Sequence, residues 1–233
     1  MYKRQVEDRL DYYYNLEGVR MSCVTEDSAG NLYVGTMNNG LYMIDHNKKW
    51  LNYFPKKDIT CIYEDSKKSI WVGTKDDGLF RLDRNGGITN YGTAPHQNML
   101  SSSYVRCVVE DNLGNYWIGT FKGLDKLDVT TGTFTHYSKD NKPYSLSNSS
   151  IICMMKDRQG TFWIGTYYGG VNLFNPDYEI YTYYYPDESQ KGKLTSPFAG
   201  RMTEDSNGGI WIATEGGGVN YLDIVSYTHL RAH

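Results

Sequence analysis

Residues 110–120 read EDNLGNYWIGT, and four other stretches repeat them with small changes: EDSAGNLYVGT from Glu26, EDSKKSIWVGT from Glu64, KDRQGTFWIGT from Lys156 and EDSNGGIWIAT from Glu204. The closing threonines are Thr36, Thr74, Thr120, Thr166 and Thr214, so successive copies lie 38, 46, 46 and 48 residues apart. A period of about 40–50 residues marks stacked supersecondary units. Around the third copy, VRCVVED from Val105 alternates apolar and β-branched residues as a half-buried strand does. DNLGN is the turn, with an aspartate that accepts from the backbone two residues on and a glycine for positive φ. YWIGT, LDKLD and TFTHY follow as second, third and fourth strands, separated by FKG and VTTG. No stretch has helical periodicity over a helix length. Four short antiparallel strands per unit is the content of a β-propeller blade. Leucine-rich or hexapeptide solenoids need shorter periods, ankyrin and tetratricopeptide arrays need helices, and the Gly-His and Trp-Asp signals of WD40 blades are missing.

The chain is therefore expected to be all-β: a propeller domain over residues 8–225, with about five four-stranded antiparallel blades at 19–54, 59–92, 105–138, 151–186 and 198–225. Composition agrees, with 24 glycines for turns and 22 tyrosines among 15% aromatics for sheets packed face to face. A net charge of −3 gives no footprint for nucleic acid or an anionic membrane. No apolar run approaches the roughly 18 residues of a membrane span, so no membrane contact is expected of this segment.

Two repeated residue types invite functional readings that their register argues against. Cys23, Cys61, Cys107 and Cys153 each stand four residues before a turn aspartate (Asp27, Asp65, Asp111, Asp157), and Arg201 takes that place before Asp205. They are equivalent points on successive blades, too far apart for disulfides and without zinc-site spacing, and read as buried thiols. Trp71, Trp117, Trp163 and Trp211, with Tyr33 in the first copy, likewise share one position and read as interblade packing. Trp50 falls outside this register and is expected near the surface. The turn sequences offer about one aspartate each, where a calcium loop gathers several carboxylates. No metal and no cofactor is expected.

The pattern EDxxGNxWIGT, followed by a GGLxxLD strand, TGTFTHY and the Ser-Leu-Ser-Asn passage in SKDNKPYSLSNSSI, resembles the two-component regulator propeller repeat, over Val19 to Asp223. Departures are Tyr33 for tryptophan, Ser69 in the second turn, Ala213 for glycine, and a fifth copy that stops after its third strand. The resemblance implies a periplasmic sensor domain of a bacterial hybrid two-component receptor, in which propellers of about seven blades precede a membrane helix and a histidine kinase. It implies an oligosaccharide ligand and self-association of the receptor, and supplies no catalytic residues to carry over. On this reading the chain is a fragment, an open arc of a larger propeller, with residues 1–7 and 226–233 non-native. The alternative is a closed five-bladed ring, completed by DRLDYYYN at 8–15.

Function is expected on the face where the loop after each second strand meets the passage between blades, because those tips differ while the strands repeat. Tyr167 and Tyr168, with Phe121, are candidates for stacking on a sugar. Asn38, Lys75, Asp76, Lys122 and Glu215 are candidates to reach its hydroxyls or carboxylates. The run Tyr181 to Tyr185 reads as the outermost strand of the fourth blade. GxSxG, HExxH, P-loop and CxxC motifs are lacking, and His46, His96 and His136 fall in separate blades, so the chain is not expected to be an enzyme. A propeller lyase or hydrolase, with a histidine or acid pair near the axis, is one alternative. A protein-interaction or dimerisation propeller is the other, and overlaps with a receptor that signals by pairing.

Overall fold

The computed structural model describes residues 18–92, 99–140, 145–175, 180–186 and 194–223. All regular structure among them is β-strand, in five antiparallel sheets. The first blade comprises β1 (Arg20–Glu26), β2 (Leu32–Met37), β3 (Leu41–Ile44) and β4 (Trp50–Tyr53). The second has β5 (Ile59–Glu64), β6 (Ile70–Thr74), β7 (Leu79–Leu82) and β8 (Ile88–Tyr91), and the third β9 (Val105–Glu110), β10 (Tyr116–Thr120), β11 (Leu124–Leu127) and β12 (Phe134–Tyr137). In the fourth are β13 (Ile151–Lys156), β14 (Phe162–Thr166), β15 (Gly170–Asn175) and β16 (Ile180–Tyr184). The fifth holds β17 (Ala199–Glu204), β18 (Ile210–Thr214) and β19 (Gly218–Leu222). Each sheet is a meander in chain order, and the first strands β1, β5, β9, β13 and β17 stand side by side around an axis. This is the expected β-propeller. The proposed partner strand at 8–15 and both proposed non-native ends lie outside the described residues.

The turn aspartate of each repeat does two jobs. One oxygen of Asp111 accepts the amides of Leu113 (2.9 Å) and Asn115 (2.8 Å), closing the hairpin; the other takes the indole N–H of Trp117 at 3.0 Å. Asp65 with Trp71 (2.9 Å), Asp157 with Trp163 (2.8 Å) and Asp205 with Trp211 (3.2 Å) repeat the bond. In the first blade the hydroxyl of Tyr33 bonds to Asp27, so the one departure from tryptophan keeps the connection. Asp27 and Asp205 accept enough of these bonds to hold their carboxyls below the usual range despite the opposing push of burial.

The indoles so anchored fill the spaces between blades. Trp71 meets Tyr116 of the next blade at 4.2 Å between ring centroids, and Trp117 meets Phe162 at 5.6 Å. Trp71, Trp117 and Trp163 are at most 2% exposed, whereas Trp211 is 43% exposed. At the other end Met21 is 58% exposed, while its equivalents Ile59, Val105 and Ile151 are at most 1%. Among the described residues, nothing covers the trailing face of the fifth blade or the leading face of the first. Trp50, outside the register, is exposed as expected.

A polar clasp joins the turns of neighbouring blades. Glu64 accepts the amide and hydroxyl of Ser28, and Glu110 does the same for Ser66. The fourth blade exchanges the partners: Lys156 stands at the glutamate position and donates to Asn112, and Arg158 stands at the serine position and donates its amide to Glu204.

Glycine in the second strand is needed for close approach. A Cβ on Gly119 would fall on the Cys107 sulfur and within 2.6 Å of Ile151 Cγ2 in the next blade. Gly35, Gly73 and Gly165 face Cys23, Cys61 and Cys153 in the same way. The four cysteines are free, and burial pushes the thiol of Cys61 up to about 12 and that of Cys153 to about 11.

The passages between blades are pinned to third strands. Asp125 accepts the amide (2.8 Å) and hydroxyl (3.0 Å) of Ser101, and its other oxygen meets His136 Nδ1 at 2.8 Å. In the fourth blade Asn172 accepts the Ser147 amide at 2.9 Å and donates back to its hydroxyl at 2.8 Å; Asn220 and Thr195 repeat this in the fifth. Burial raises the Asp125 carboxyl, with His136 and Ser101 opposing.

Unfolding of five variants by urea tests these assignments. Asp111→Ala leaves an indole and two backbone amides without their acceptor and is expected to cost about 3 kcal/mol. Asp205→Ala should cost less than half of that, because water reaches Trp211; equal losses would count against the aspartate–tryptophan assignment. Gly119→Ala should cost about 1–3 kcal/mol by overpacking, and Cys107→Gly in the same chain should recover part of it. Asp125→Asn is expected to be neutral or stabilising at pH 7, since asparagine fills this role in two other blades. The sign follows from the raised carboxyl: the protonated acid stabilises below the unfolded value of about 3.9, and that contribution is lost as pH rises through the folded value. The advantage of Asp125→Asn should therefore grow from pH 4 to pH 7.

Candidate functional site

The second strand of each blade ends in a threonine whose hydroxyl holds the tip that follows. Thr36 donates to the Gly40 carbonyl (2.6 Å), Thr74 to Gly78 (2.8 Å), Thr120 to Gly123 (2.9 Å), Thr166 to Gly170 (3.2 Å) and Thr214 to Gly218 (3.0 Å). The tip is also tied to the residue that precedes the first strand of its own blade. Lys75 donates its amide to Asp58, Phe121 to Tyr104, Tyr167 to Ser150 and Glu215 to Phe198, at 2.9–3.1 Å. Tips and passages thus share one face, ringed around the axis, as the sequence suggests.

The first strand of every blade carries a bulge on the axial side. The ladder skips Ser22, Thr60, Arg106, Ile152 and Gly200, so these residues stand outside the pairing. Three of them bridge to the next blade: Ser22 donates to the Ile59 carbonyl, Thr60 to the Val105 carbonyl and Arg106 to the Ile151 carbonyl. They open onto an axial cavity of about 430 Å³, lined by Ser22, Asp58, Thr60, Lys75, Arg106 and Arg201, with Met37, Ile59, Tyr104 and Ile152 supplying its apolar surface. This volume suits a small-molecule site.

The expected site residues divide around this mouth. Lys75 lines the cavity. Asn38, in the left-handed region at φ 66°, donates its amide to the Asp58 carboxylate. Phe121, half exposed, lies nearly parallel to Tyr104 at 6.3 Å, and the Arg106 guanidinium sits over both rings at 5.2 and 4.5 Å. Tyr167 and Tyr168 meet edge-on at 4.8 Å and both pack on Phe198, Tyr168 at 3.8 Å. Asp76, Lys122 and Glu215 are exposed on the rim and do not line the cavity. The structure therefore forms two aromatic clusters, Tyr104 with Phe121 in the third blade and Tyr167 and Tyr168 with Phe198 across the fourth and fifth.

Four residues that sequence reasoning passed over belong to this face: Tyr104, Phe198, Arg106 and Arg201. Tyr104 and Phe198 occupy the position before the first strand, and that shared register was the signal available. Arg106 reads in VRCVVE as a solvent-facing alternation, and a bulge turns it to the axis. Arg201 is exposed and lines the cavity. Arg201 shares the cavity lining with Ser22, Thr60, Arg106 and Ile152, one residue from each of the other four blades, and its charge opposes the upward push of burial on all four cysteine thiols. Of the histidines, His136 is engaged with Asp125 and His46 sits in an exposed turn; His96, His229 and His233 lie outside the described residues. Among the described residues no three of His, Cys, Asp and Glu are grouped to hold a metal ion.

Comparison with solved structures shows the propeller fold. Virginiamycin B lyase from Staphylococcus aureus, solved as an inactive variant with quinupristin, is 16% identical with a TM-score of 0.66, over 91% of this chain and 73% of that one. PorZ, a surface component of the type-IX secretion system of Porphyromonas gingivalis, is 15% identical with a TM-score of 0.69, over 87% of this chain and 32% of PorZ. The extracellular domain assigned to a hybrid two-component system of B. thetaiotaomicron is 18% identical with a TM-score of 0.51, over 92% of this chain and 37% of that one. A search of curated proteins gives no match by sequence. The family model described as two component regulator propeller matches residues 53–76, 99–122, 145–168 and 193–216. Each match runs from a passage through first strand, turn and second strand to the tip, the segment that builds both the interblade core and the axial face. By these four consecutive matches, the chain belongs to the two-component regulator propeller family.

Proposed function

We propose that this propeller is the extracytoplasmic ligand-sensing part of a two-component receptor, and that it binds an oligosaccharide at the axial mouth. The observation that carries the reading is the pair of exposed aromatic clusters, Tyr104 with Phe121 and Tyr167 with Tyr168 on Phe198, beside a cavity lined by charged and hydroxyl groups. Aromatic faces cover the apolar side of a pyranose, and the polar groups between them fix its orientation. Family membership and the likeness to an extracellular domain of a hybrid two-component system support the setting. The lyase neighbours raise an enzymatic alternative. The cavity lining favours binding over it: the lining contains one carboxylate, Asp58, already engaged with Asn38, and no histidine. Signalling would follow from differential affinity of the glycan for two arrangements of paired receptors, because a ligand shifts an equilibrium only by that difference.

Calorimetry against an oligosaccharide panel tests the reading. Tyr167→Ala combined with Tyr168→Asn should weaken glycan binding about tenfold or more, equivalent to about 1.4 kcal/mol, with an unchanged urea midpoint. Asparagine is chosen because Tyr168 has φ 57°, a conformation asparagine tolerates. Unchanged affinity in the folded variant would remove the tyrosines from the site, and absence of heat with every glycan would overturn the sensing proposal.

A further inference from the structure

The chain carries a net charge of −3, yet three cations and one carboxylate line its axial cavity. The carboxylate of Asp58 accepts the Asn38 amide. Among the described residues, no carboxylate lies within ion-pair distance of Arg106, Arg201 or Lys75, whereas nearby Lys57 is paired with Asp77 at 2.7 Å. Three cations facing a single carboxylate leave the cavity with a net positive charge, and a bound anion relieves the repulsion among them.

Arg106 is already held in place. Its Nη1 donates to the Ser150 hydroxyl and the Ile151 carbonyl, both at 3.0 Å, and its plane lies over Tyr104 and Phe121. A guanidinium has five N–H donors in a rigid fork suited to planar oxyanions, and only Nη1 is engaged among the described residues. Its counterparts Ser22 and Thr60 make the same bridge to the next blade with a hydroxyl. The bridge itself therefore does not require an arginine.

Arg201 brings a second guanidinium to the cavity from the fifth blade. There the cysteine–glycine pair of the other blades is replaced by Arg201 opposite Ala213. Gly200 occupies the bulge position and supplies no side chain.

We propose that the axial cavity is an anion subsite, in which Arg106 and Arg201, assisted by Lys75, hold the carboxylate or sulfate of an acidic oligosaccharide while the flanking aromatic clusters carry its neighbouring rings. This rests on the glycan-sensing reading and narrows its ligand class. Carboxylate and sulfate share the oxyanion chemistry recognised here, so both sources enter the test.

The experiment is calorimetry of the full chain at low and moderate salt with five probes. These are tetragalacturonate and its methyl-esterified form, an unsaturated chondroitin disaccharide with and without its sulfate, and, as a fifth, sodium sulfate alone. The variants are Arg106→Thr, which keeps the hydroxyl bridge seen at Thr60, and Arg201→Gln at an exposed position. The expected result is tighter binding of tetragalacturonate than of its methyl ester, or of the sulfated than of the unsulfated disaccharide, weakened about tenfold or more by each variant and by added salt; the pair that discriminates identifies uronate or sulfate as the source. Equal binding within both pairs, indifferent to both variants, would overturn the anion subsite and leave glycan sensing standing. Arginine-dependent binding of sulfate alone, with no saccharide bound, would uphold the subsite and overturn the glycan reading. No binding of any probe to folded protein would overturn the anion subsite, and the glycan reading would then stand or fall on the oligosaccharide panel.

Discussion

The fold depends on a single carboxylate per blade that serves two neighbours. The turn aspartate closes its hairpin with one oxygen and fixes the tryptophan six residues on with the other. Hairpin geometry and interblade packing are thereby set by the same side chain, so neither can drift without the other. A buried indole N–H without a partner costs about 1–3 kcal/mol, which makes the aspartate as necessary to the core as the ring it holds. The first blade shows the logic by substitution, since its aromatic is a tyrosine and the hydroxyl takes over the bond to Asp27.

A second constraint acts near the axis, where the first strand of one blade must approach the second strand of the blade before it. Glycine leaves the room and a cysteine sulfur fills it from the same sheet. The fifth blade alters both members together, Arg201 for cysteine and Ala213 for glycine. A methyl group on the second strand takes the space that a thiol occupies elsewhere, and a longer side chain is left to run into the open cavity. A substitution that looks like decay of the repeat is thus a paired change that moves charge to the centre of the propeller.

Much of this was legible in the sequence. The period, the four-strand meander, the burial of Trp71, Trp117 and Trp163 and the surface position of Trp50 follow from register and alternation. The face that carries the tips also followed from chain direction. The bulges did not. Alternation treats Arg106 as one more outward residue of VRCVVE, and nothing in six residues states that the ladder will skip one of them. The grouping of tips was missed for a related reason: Tyr167 and Tyr168 are drawn to Phe198 and Phe121 to Tyr104, partners 17 to 31 residues away that are brought alongside by the Gly170 amide on the Pro197 carbonyl and the Phe121 amide on the Tyr104 carbonyl. The pairing of Asp125 with His136 is an anchor of the passage, as Asn172 and Asn220 in the same role show.

The bulge positions also explain how such a repeat can change ligands without losing its fold. Ser22, Thr60, Arg106, Ile152 and Gly200 lie outside the strand ladder, so their side chains are not chosen by cross-strand pairing. They do not fill the interblade core, which belongs to the tryptophans, the leucines of the third strands and the valines and isoleucines of the first. What they share is the axis. Four of these positions, with Arg201 from the fifth blade, line the central cavity and set its polarity and charge, while the aspartate, aromatic, glycine and threonine of the repeats hold the blades around it. Hydroxyls at two of them would suit a neutral polyol; an arginine at the third, reinforced from the fifth blade, shifts the same scaffold toward an anion.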